Sequence, residues 1–147
     1  METEMLTLAA TAERLKAAED ILLLMHQFPD GDTIGSAAGL CIALRSLGKR
    51  ARFACNDPIP EKYRYMTAAI PVQDFEPQFI CAVDVADEKL LGPSMQQYAG
   101  RVDLCIDHHG TNVSYAKATL LDPSAAAAAM IVCQLLEPLG VALSPAI

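Results

Sequence analysis

Short, continuous apolar runs alternate along the chain with longer segments in which apolar residues recur at helical spacing. The runs have the length of buried parallel strands and lie at residues 21–26, 51–55, 79–85, 101–106 and 116–121. The helical spacing predicts helices over residues 8–18, 32–47, 61–69, 88–98 and 124–136, and Gly92-Pro93 interrupts the fourth of them. Alternating strands and helices with short connections form parallel sheets that are covered on both faces. The pattern therefore predicts one α/β domain, a Rossmann-like three-layer sandwich with a mostly parallel central sheet of about five strands.

Carboxylate and imidazole side chains gather where three of these strands end. They are His26, Asp30 and Asp32 after the first strand, Asp84 near the end of the third, and Asp107, His108 and His109 after the fourth. Since parallel strands deliver their carboxyl ends to one edge of a sheet, these side chains are expected in one crevice. Carboxylates gathered there repel one another and are costly to desolvate unless a cation joins them. The sequence therefore predicts a centre for two divalent ions about 3.5–4 Å apart.

The mixture of ligand types also restricts the kind of metal. Carboxylates with imidazoles favour Mn²⁺, with Mg²⁺, Fe²⁺ and Co²⁺ as alternatives, and the lack of cysteine in the clusters argues against a structural zinc site. A structural interpretation without metal also exists for three of these residues: Asp30 as a turn residue, Asp32 as a helix N-cap and His26 as a hydrogen-bonded strand end. Asp87 is better explained as the N-cap of the helix that begins at Glu88.

Composition and charge exclude several classes of partner. The 147-residue chain is 52% hydrophobic and carries a net charge of −7, so no stripe of Lys and Arg is available to bind long duplex nucleic acid through counterion release. The longest apolar stretch, residues 125–133, is far shorter than the roughly 18 residues of a membrane span, which predicts a cytoplasmic protein that does not bind a membrane. Five dispersed cysteines predict reduced thiols, mostly in the core.

Three motifs in this order resemble those of a known family. They are His26-x-x-Pro29-Asp30-Gly31-Asp32, the Asp84 of an apolar strand, and Asp107-His108-His109. Together they resemble the DHH phosphoesterases, which include RecJ-type exonucleases, family II inorganic pyrophosphatases and bifunctional oligoribonuclease/phosphoadenosine-phosphate phosphatases. Residues 30–36 and Leu121-Asp122-Pro123 are similar to the pattern of the last group. The resemblance covers residues 8–136 and implies a Rossmann-like catalytic domain.

The resemblance also implies a role for each residue. His26 and Asp30 would bind one metal ion, Asp32 and His108 would bind the other, and Asp84 would bridge the two. Asp107 would hold His108 in place, and His109 would face the phosphate, so that Asp84, Asp107 and His109 count as catalytic. The implied reaction is in-line attack of metal-activated water on phosphorus, without a covalent intermediate. The implied substrates are small nucleotides or short single-stranded RNA: oligoribonucleotides (nanoRNA), 3′-phosphoadenosine 5′-phosphate, or both.

Other features of the family set further expectations. Its fourth motif, an aspartate that completes the second metal site, and its C-terminal substrate-binding domain are expected beyond Ile147, so residues 1–147 would be a catalytic domain that is incomplete at its C-terminal end. The full-length enzyme is expected as a homodimer. Position 28 is Phe where the family has Asn or Arg, and residues 125–129 are all Ala where relatives are richer in Ser and Thr. Three alternatives stay open: hydrolysis of cyclic dinucleotides, hydrolysis of pyrophosphate, and a non-catalytic fragment that binds metal or nucleotide.

Overall fold

A single parallel sheet of six strands forms the centre of the molecule. The computed structural model describes residues 3–143, so the first two and last four residues of the predicted domain lie outside the described part. The strands are β1 (Glu4–Met5), β2 (Ile21–Leu24), β3 (Ala51–Ala54), β4 (Phe79–Val83), β5 (Leu104–Asp107) and β6 (Ala118–Leu121). Their order is β1-β6-β5-β4-β2-β3, and all neighbouring pairs are parallel. The predicted α/β fold class is confirmed.

The five predicted strands are present, and β1 is the one that sequence patterning missed. Its two residues are exposed, and it forms the edge of the sheet by pairing with β6 through Glu4 opposite Ala118 and Met5 opposite Thr119. A two-residue edge strand has no buried face and therefore no alternating pattern to detect. Its existence depends on pairing with a segment more than a hundred residues away, which is a tertiary contact.

Among residues 3–143, three α-helices and three 3₁₀ helices cover the sheet. The α-helices are α1 (Leu8–Ala17), α2 (Gly31–Ser46) and α3 (Ala128–Leu139), and the 3₁₀ helices are Glu61–Met66, Glu88–Leu91 and Pro93–Tyr98. The predicted helix over residues 124–136 is therefore wrong at both ends. Asp122 accepts hydrogen bonds from the backbone N–H and hydroxyl of Ser124, at 3.0 and 2.6 Å, and this turn delays the start of α3. Pro138 fits into the last turn, before Gly140 ends the helix in the left-handed conformation.

Alternating side chains of the strands fill two cores, one on each face of the sheet. In β2, which is entirely buried, Ile21 and Leu23 belong to the larger core, whereas Leu22 and Leu24 belong to the smaller one. Residues of α1, α2 and α3 line the larger core, and the segments around the last two 3₁₀ helices line the smaller. Burial on both faces explains why the strands read as continuous apolar runs rather than as alternating ones.

The five cysteines differ in how far they are buried. All five cysteines are free thiols, and Cys41, Cys81 and Cys105 are buried as expected, but Cys133 is exposed on α3. Burial raises the pKa of the Cys105 thiol to about 12, so this thiol is protonated at neutral pH.

Within residues 3–143, none of the helices combines the length and the apolar character that crossing a bilayer requires.

Gly92 separates the last two 3₁₀ helices, and we expect its replacement by alanine to destabilise the fold. Its φ is +88°, and an added Cβ would lie 2.6 Å from Cγ of Asn56, whose Oδ1 accepts hydrogen bonds from Ser94. Strain and overpacking together should lower the free energy of unfolding by about 2 kcal/mol or more, measured by urea denaturation.

Gly100 provides the matched control for this prediction. Its φ is +77°, but nothing lies within 4 Å of the Cβ it would acquire. Gly100→Ala should therefore lower the free energy of unfolding by only about 1 kcal/mol, from backbone strain alone. Equal losses in the two variants would mean that the contact with Asn56 does not contribute.

Candidate metal centre

The order of the strands brings the predicted site residues to one edge of the sheet. Strand β4 lies between β2 and β5, so the segments that follow these three strands are neighbours. His26 follows β2, Asp84 follows β4 directly, and Asp107 is the last residue of β5. Asp30 and Asp32 are placed by the start of α2, and His108 and His109 follow Asp107 in the chain. All seven residues therefore lie around the carboxyl edge of the sheet, as expected of a ligand crevice in an open parallel sheet.

Asp84 lies at the centre of this arrangement. The predicted strand over residues 79–85 is too long, because β4 ends at Val83 and Asp84 takes the left-handed conformation with a φ of +66°. Its backbone N–H donates to the carbonyl of Ile106 at 2.8 Å, which fixes the turn against β5. The residue is only 3% exposed, and within residues 3–143 its Oδ1 has no hydrogen-bond partner. A buried carboxylate oxygen without a hydrogen bond is costly, and a cation satisfies it.

His26 and Asp30 form one group of potential ligands with Asp84. The Nε2 atom of His26 lies 3.5 Å from Oδ1 of Asp30 and 3.6 Å from Oδ2 of Asp84. The Nδ1 atom lies 2.7 Å from the carbonyl oxygen of Gln27, so the proton of the neutral ring belongs on Nδ1 and Nε2 carries the free lone pair. One ligand atom from each of these three residues lies within 4.8 Å of the others.

The second group consists of Asp84, Asp107, His108 and His109, whose ligand atoms also lie within 4.8 Å of one another. The Nε2 atom of His108 is 3.1 Å from Oδ1 of Asp84 and 3.4 Å from Oδ2 of Asp32. Asp84 therefore belongs to both groups, with Oδ2 nearer His26 and Oδ1 nearer His108. This is the position that a ligand shared by two ions would need.

Asp32 contacts a helix that sequence reasoning did not connect with it. Its two carboxylate oxygens accept hydrogen bonds from the backbone N–H groups of Ala128 and Ala129, at 3.0 and 2.9 Å, at the beginning of α3. The interpretation of Asp32 as the N-cap of its own helix is wrong, because Asp30 has that position in α2 and accepts from the N–H of Thr33 at 3.0 Å. Asp32 thus holds α3 beside the crevice through two otherwise unpaired helix N–H groups.

Asp107 positions the ring of His109 more directly than the ring of His108. It is fully buried, and its Oδ1 accepts from the backbone N–H of His108 at 2.8 Å and lies 2.7 Å from Nδ1 of His109. Its Oδ2 accepts a hydrogen bond from Nδ2 of Asn112 at 2.9 Å. Asn112 is a supporting residue that sequence reasoning missed, because a single Asn in a loop resembles any other turn residue. Asp87 caps the 3₁₀ helix at Glu88, as predicted.

The charges of the cluster are strongly coupled. Contact with the Asp84 carboxylate raises the pKa of His26 to about 9, and the Gln27 carbonyl and the negative charge of Asp30 act in the same direction. Burial raises the pKa of the Asp84 carboxyl above its usual value, and contact with His26 opposes the shift. A proton on His26 therefore provides part of the positive charge that this group of carboxylates needs.

The raised pKa of His26 makes metal binding dependent on pH. Since His26 is protonated below a pH of about 9 and a ligand imidazole must be neutral, binding at the His26 group should release this proton. The affinity for Mn²⁺ should accordingly rise about tenfold per pH unit between pH 6.5 and 8.5. Calorimetry in buffers of different ionisation enthalpy counts the released protons, and His26→Asn should release one fewer. An equal count in both proteins would exclude His26 as a ligand.

The residues present fit divalent cations. Carboxylate oxygens and imidazole nitrogens surround the buried Oδ1 of Asp84, which has no hydrogen bond among the described residues, and none of the potential ligands in the two groups is a thiolate. Carboxylate oxygens together with imidazole nitrogens suit Mn²⁺ and similar ions, whereas structural Zn²⁺ sites usually contain thiolate ligands. The fold and this cluster define an α/β protein with a candidate metal centre at the carboxyl edge of its sheet.

Comparison with known proteins identifies the family. The chain matches the DHH family, N-terminal domain, over residues 20–145, and it belongs to this family. It is 37% identical over 138 residues to the bifunctional oligoribonuclease and PAP phosphatase NrnA of Thermus thermophilus, an alignment that covers 88% of this chain and 40% of that protein. The family suggested by the sequence motifs is thus confirmed, and the chain is similar to a member of the subgroup that those motifs favour.

Two solved structures share the fold. An exopolyphosphatase-related protein from Bacteroides fragilis superposes with a TM-score of 0.78 and 22% identity, covering 90% of this chain and 43% of that one. The exonuclease RecJ bound to manganese superposes with a TM-score of 0.56 and 14% identity, covering 92% of this chain and 38% of that one. This chain thus spans about two fifths of the length of each of these relatives.

Proposed function

We propose that this chain is the catalytic domain of a phosphoesterase that uses two divalent cations, preferably Mn²⁺. The parent enzyme would release mononucleotides from short oligoribonucleotides, phosphate from 3′-phosphoadenosine 5′-phosphate, or both. The observation that carries the proposal is the buried Asp84 carboxylate shared by two groups of potential ligands. The substrate class is supported by the activity named for the Thermus thermophilus relative, and the choice of Mn²⁺ by the mixed ligands and the manganese-bound relative of similar fold.

The proposed chemistry assigns a task to each part of the site. Divalent ions bound there would neutralise the phosphoryl group and make water a nucleophile near neutral pH. Asp84 would bind both ions, and His26 would offer Nε2 because Gln27 fixes the proton on Nδ1. Asp107, itself held by Asn112, accepts Nδ1–H of His109, so the imidazolium form of that ring would donate Nε2–H to a phosphoryl oxygen.

The remaining expectations belong to the same proposal. Residues 1–147 would be the catalytic portion of a longer enzyme whose further aspartate and C-terminal domain complete the second metal site and bind the substrate. The full-length enzyme would be a cytoplasmic homodimer acting on small nucleotides or short single-stranded RNA. Asp32 and His108 would bind the second ion, and the Asp32 carboxylate also accepts hydrogen bonds from the first N–H groups of α3.

A substrate panel tests the proposal. The full-length parent enzyme would be incubated with Mn²⁺ and 3′-phosphoadenosine 5′-phosphate, a short oligoribonucleotide, a cyclic dinucleotide or inorganic pyrophosphate. Chromatography should detect mononucleotide or phosphate release from the first two substrates, and EDTA should abolish it. Exclusive turnover of pyrophosphate or of cyclic dinucleotide would overturn the substrate assignment. Metal binding without turnover of any substrate would favour the non-catalytic alternative.

A further inference from the structure

Phe28 is exposed although its residue type favours the core. Its side chain lies in the loop between β2 and α2, two residues before Asp30, and the residue is 76% exposed. It belongs to neither of the two cores among the described residues. Its φ of +52° places it in the left-handed region, which is a clear outlier for a bulky residue. A strained conformation that keeps an apolar ring in solvent suggests a role in binding rather than in folding.

Hydrogen bonds from neighbouring segments hold this conformation. Oδ2 of Asp57 accepts the backbone N–H of Phe28 at 2.7 Å, and the N–H of Gln27 donates to the carbonyl of Leu90 at 2.6 Å. Asn56 donates to the same oxygen of Asp57 at 3.3 Å. The backbone is therefore fixed at two consecutive residues, so the direction in which the Phe28 side chain leaves the loop is set before any ligand arrives.

The cleft beside Phe28 adjoins the candidate metal centre through Asp30. Phe28 and Asp30 both line this cleft, which has a volume of about 470 Å³, within the range of small-molecule sites. The 3₁₀ helix Glu61–Met66 supplies its opposite side through Lys62 and Tyr63. Tyr63 packs on the backbone of Gly31, where an added Cβ would lie 3.2 Å from the tyrosine ring. The 3₁₀ helix that carries Tyr63 is thus held against the loop that provides Asp30.

The chemistry of the cleft suits a nucleobase better than a second phosphate. Its lining combines two aromatic rings and three prolines with a single cation, Lys62, and with the carboxylates of Asp30 and Asp57. Carboxylates repel phosphate but accept hydrogen bonds from the amino groups of a base. Aromatic rings bind bases of any sequence because every base has a π-face. Because Asp30 belongs to both this cleft and a ligand group, the cleft adjoins the place where a phosphate would bind.

We propose that Phe28 is a specificity-determining residue whose ring stacks on a nucleobase of the substrate. The inference rests on the proposed function and extends it, because it assigns one side of the cleft to the base while the phosphate binds at the metal centre. Turnover of substrates without a base gains nothing from this contact.

Equilibrium binding to the Mn²⁺-loaded chain tests the inference with three probes: 3′-phosphoadenosine 5′-phosphate, ribose 5-phosphate and inorganic pyrophosphate. Phe28→Leu removes the π-face and should weaken binding of the adenine nucleotide about tenfold, while leaving the other two probes within twofold. Phe28→Tyr keeps the ring and should bind the nucleotide like the wild type. The matched control is Tyr65→Leu. Tyr65 is similarly exposed, at 73%, and lies on the 3₁₀ helix Glu61–Met66 beside the cleft, but it does not line the cleft itself.

A second variant separates binding from folding. Phe28→Gly relieves the positive φ, so its thermal midpoint should equal or exceed that of the wild type while its nucleotide affinity falls as in Phe28→Leu. Unchanged nucleotide affinity in both variants, with the wild type still binding, would overturn the inference and leave the proposed function intact. If the wild type retains Mn²⁺ but binds neither the nucleotide nor pyrophosphate, the inference and the proposed function fall together.

Discussion

Replacing Asp84 by alanine is expected to abolish the binding of both divalent ions rather than of one. Its carboxylate belongs to the group with His26 and to the group with His108, and its Oδ1 is buried without a hydrogen bond among the described residues. Removing a shared ligand should weaken Mn²⁺ binding by about 100-fold or more at both sites, since losing even a supporting residue costs about 10- to 100-fold. Titration calorimetry on the purified chain measures this effect.

Two further variants make the result interpretable. Asp84→Asn preserves the shape and the buried position but loses the charge, so it should also fail to bind both ions while melting close to the metal-free wild type. Asp87→Ala removes a carboxylate three residues away that caps a short helix, and it should leave Mn²⁺ affinity within about twofold because this carboxylate lies in neither ligand group. Unchanged binding in Asp84→Ala would refute the assignment of the metal centre.

The elements that sequence could predict are those whose signal is local. Burial on both faces of the sheet makes β2 a continuous apolar run, and a parallel sheet then fixes where the polar residues after each strand must meet. This is why the crevice around Asp84 could be anticipated without coordinates. The connections are less predictable: Gly92-Pro93 interrupts the segment over residues 88–98 as expected, but both halves are 3₁₀ helices rather than turns of α-helix.

The features that sequence could not predict depend on distant contacts. Asp32 caps α3 across almost a hundred residues, and Asn112 supports Asp107 from a loop without any pattern. The positive φ of Asp84 is equally invisible, because Asp is tolerated both at the end of a strand and in the left-handed region. Each of these details affects how a ligand residue is oriented. The sequence therefore predicts which residues are candidate ligands better than it predicts the role of each one.

The assignment of separate roles to the candidate ligands is most clearly tested at the adjacent residues His108 and His109. The Nε2 atom of His108 lies 3.1 Å from Asp84 and 3.4 Å from Asp32, and its side chain is 19% exposed. The side chain of His109 is 41% exposed, and its Nδ1 is held by Asp107 at 2.7 Å. His108 is therefore placed among the carboxylates that the ions would join, whereas His109 presents a ring with one nitrogen already occupied. These surroundings favour a metal ligand at position 108 and a phosphate contact at position 109.

We expect His108→Ala to lower Mn²⁺ affinity by about tenfold or more, and His109→Ala to leave it nearly unchanged. In the full-length enzyme, His109→Ala should instead reduce kcat by about 100-fold, with little change in KM, because a donor that strengthens its contact as charge develops on the phosphoryl oxygens acts in the transition state. Calorimetry and steady-state kinetics measure the two effects separately. Loss of metal in both variants would show that both imidazoles are ligands, which their shared membership in one ligand group allows geometrically. Normal turnover of His109→Ala would remove this residue from the mechanism and leave Asp107 with a purely structural task.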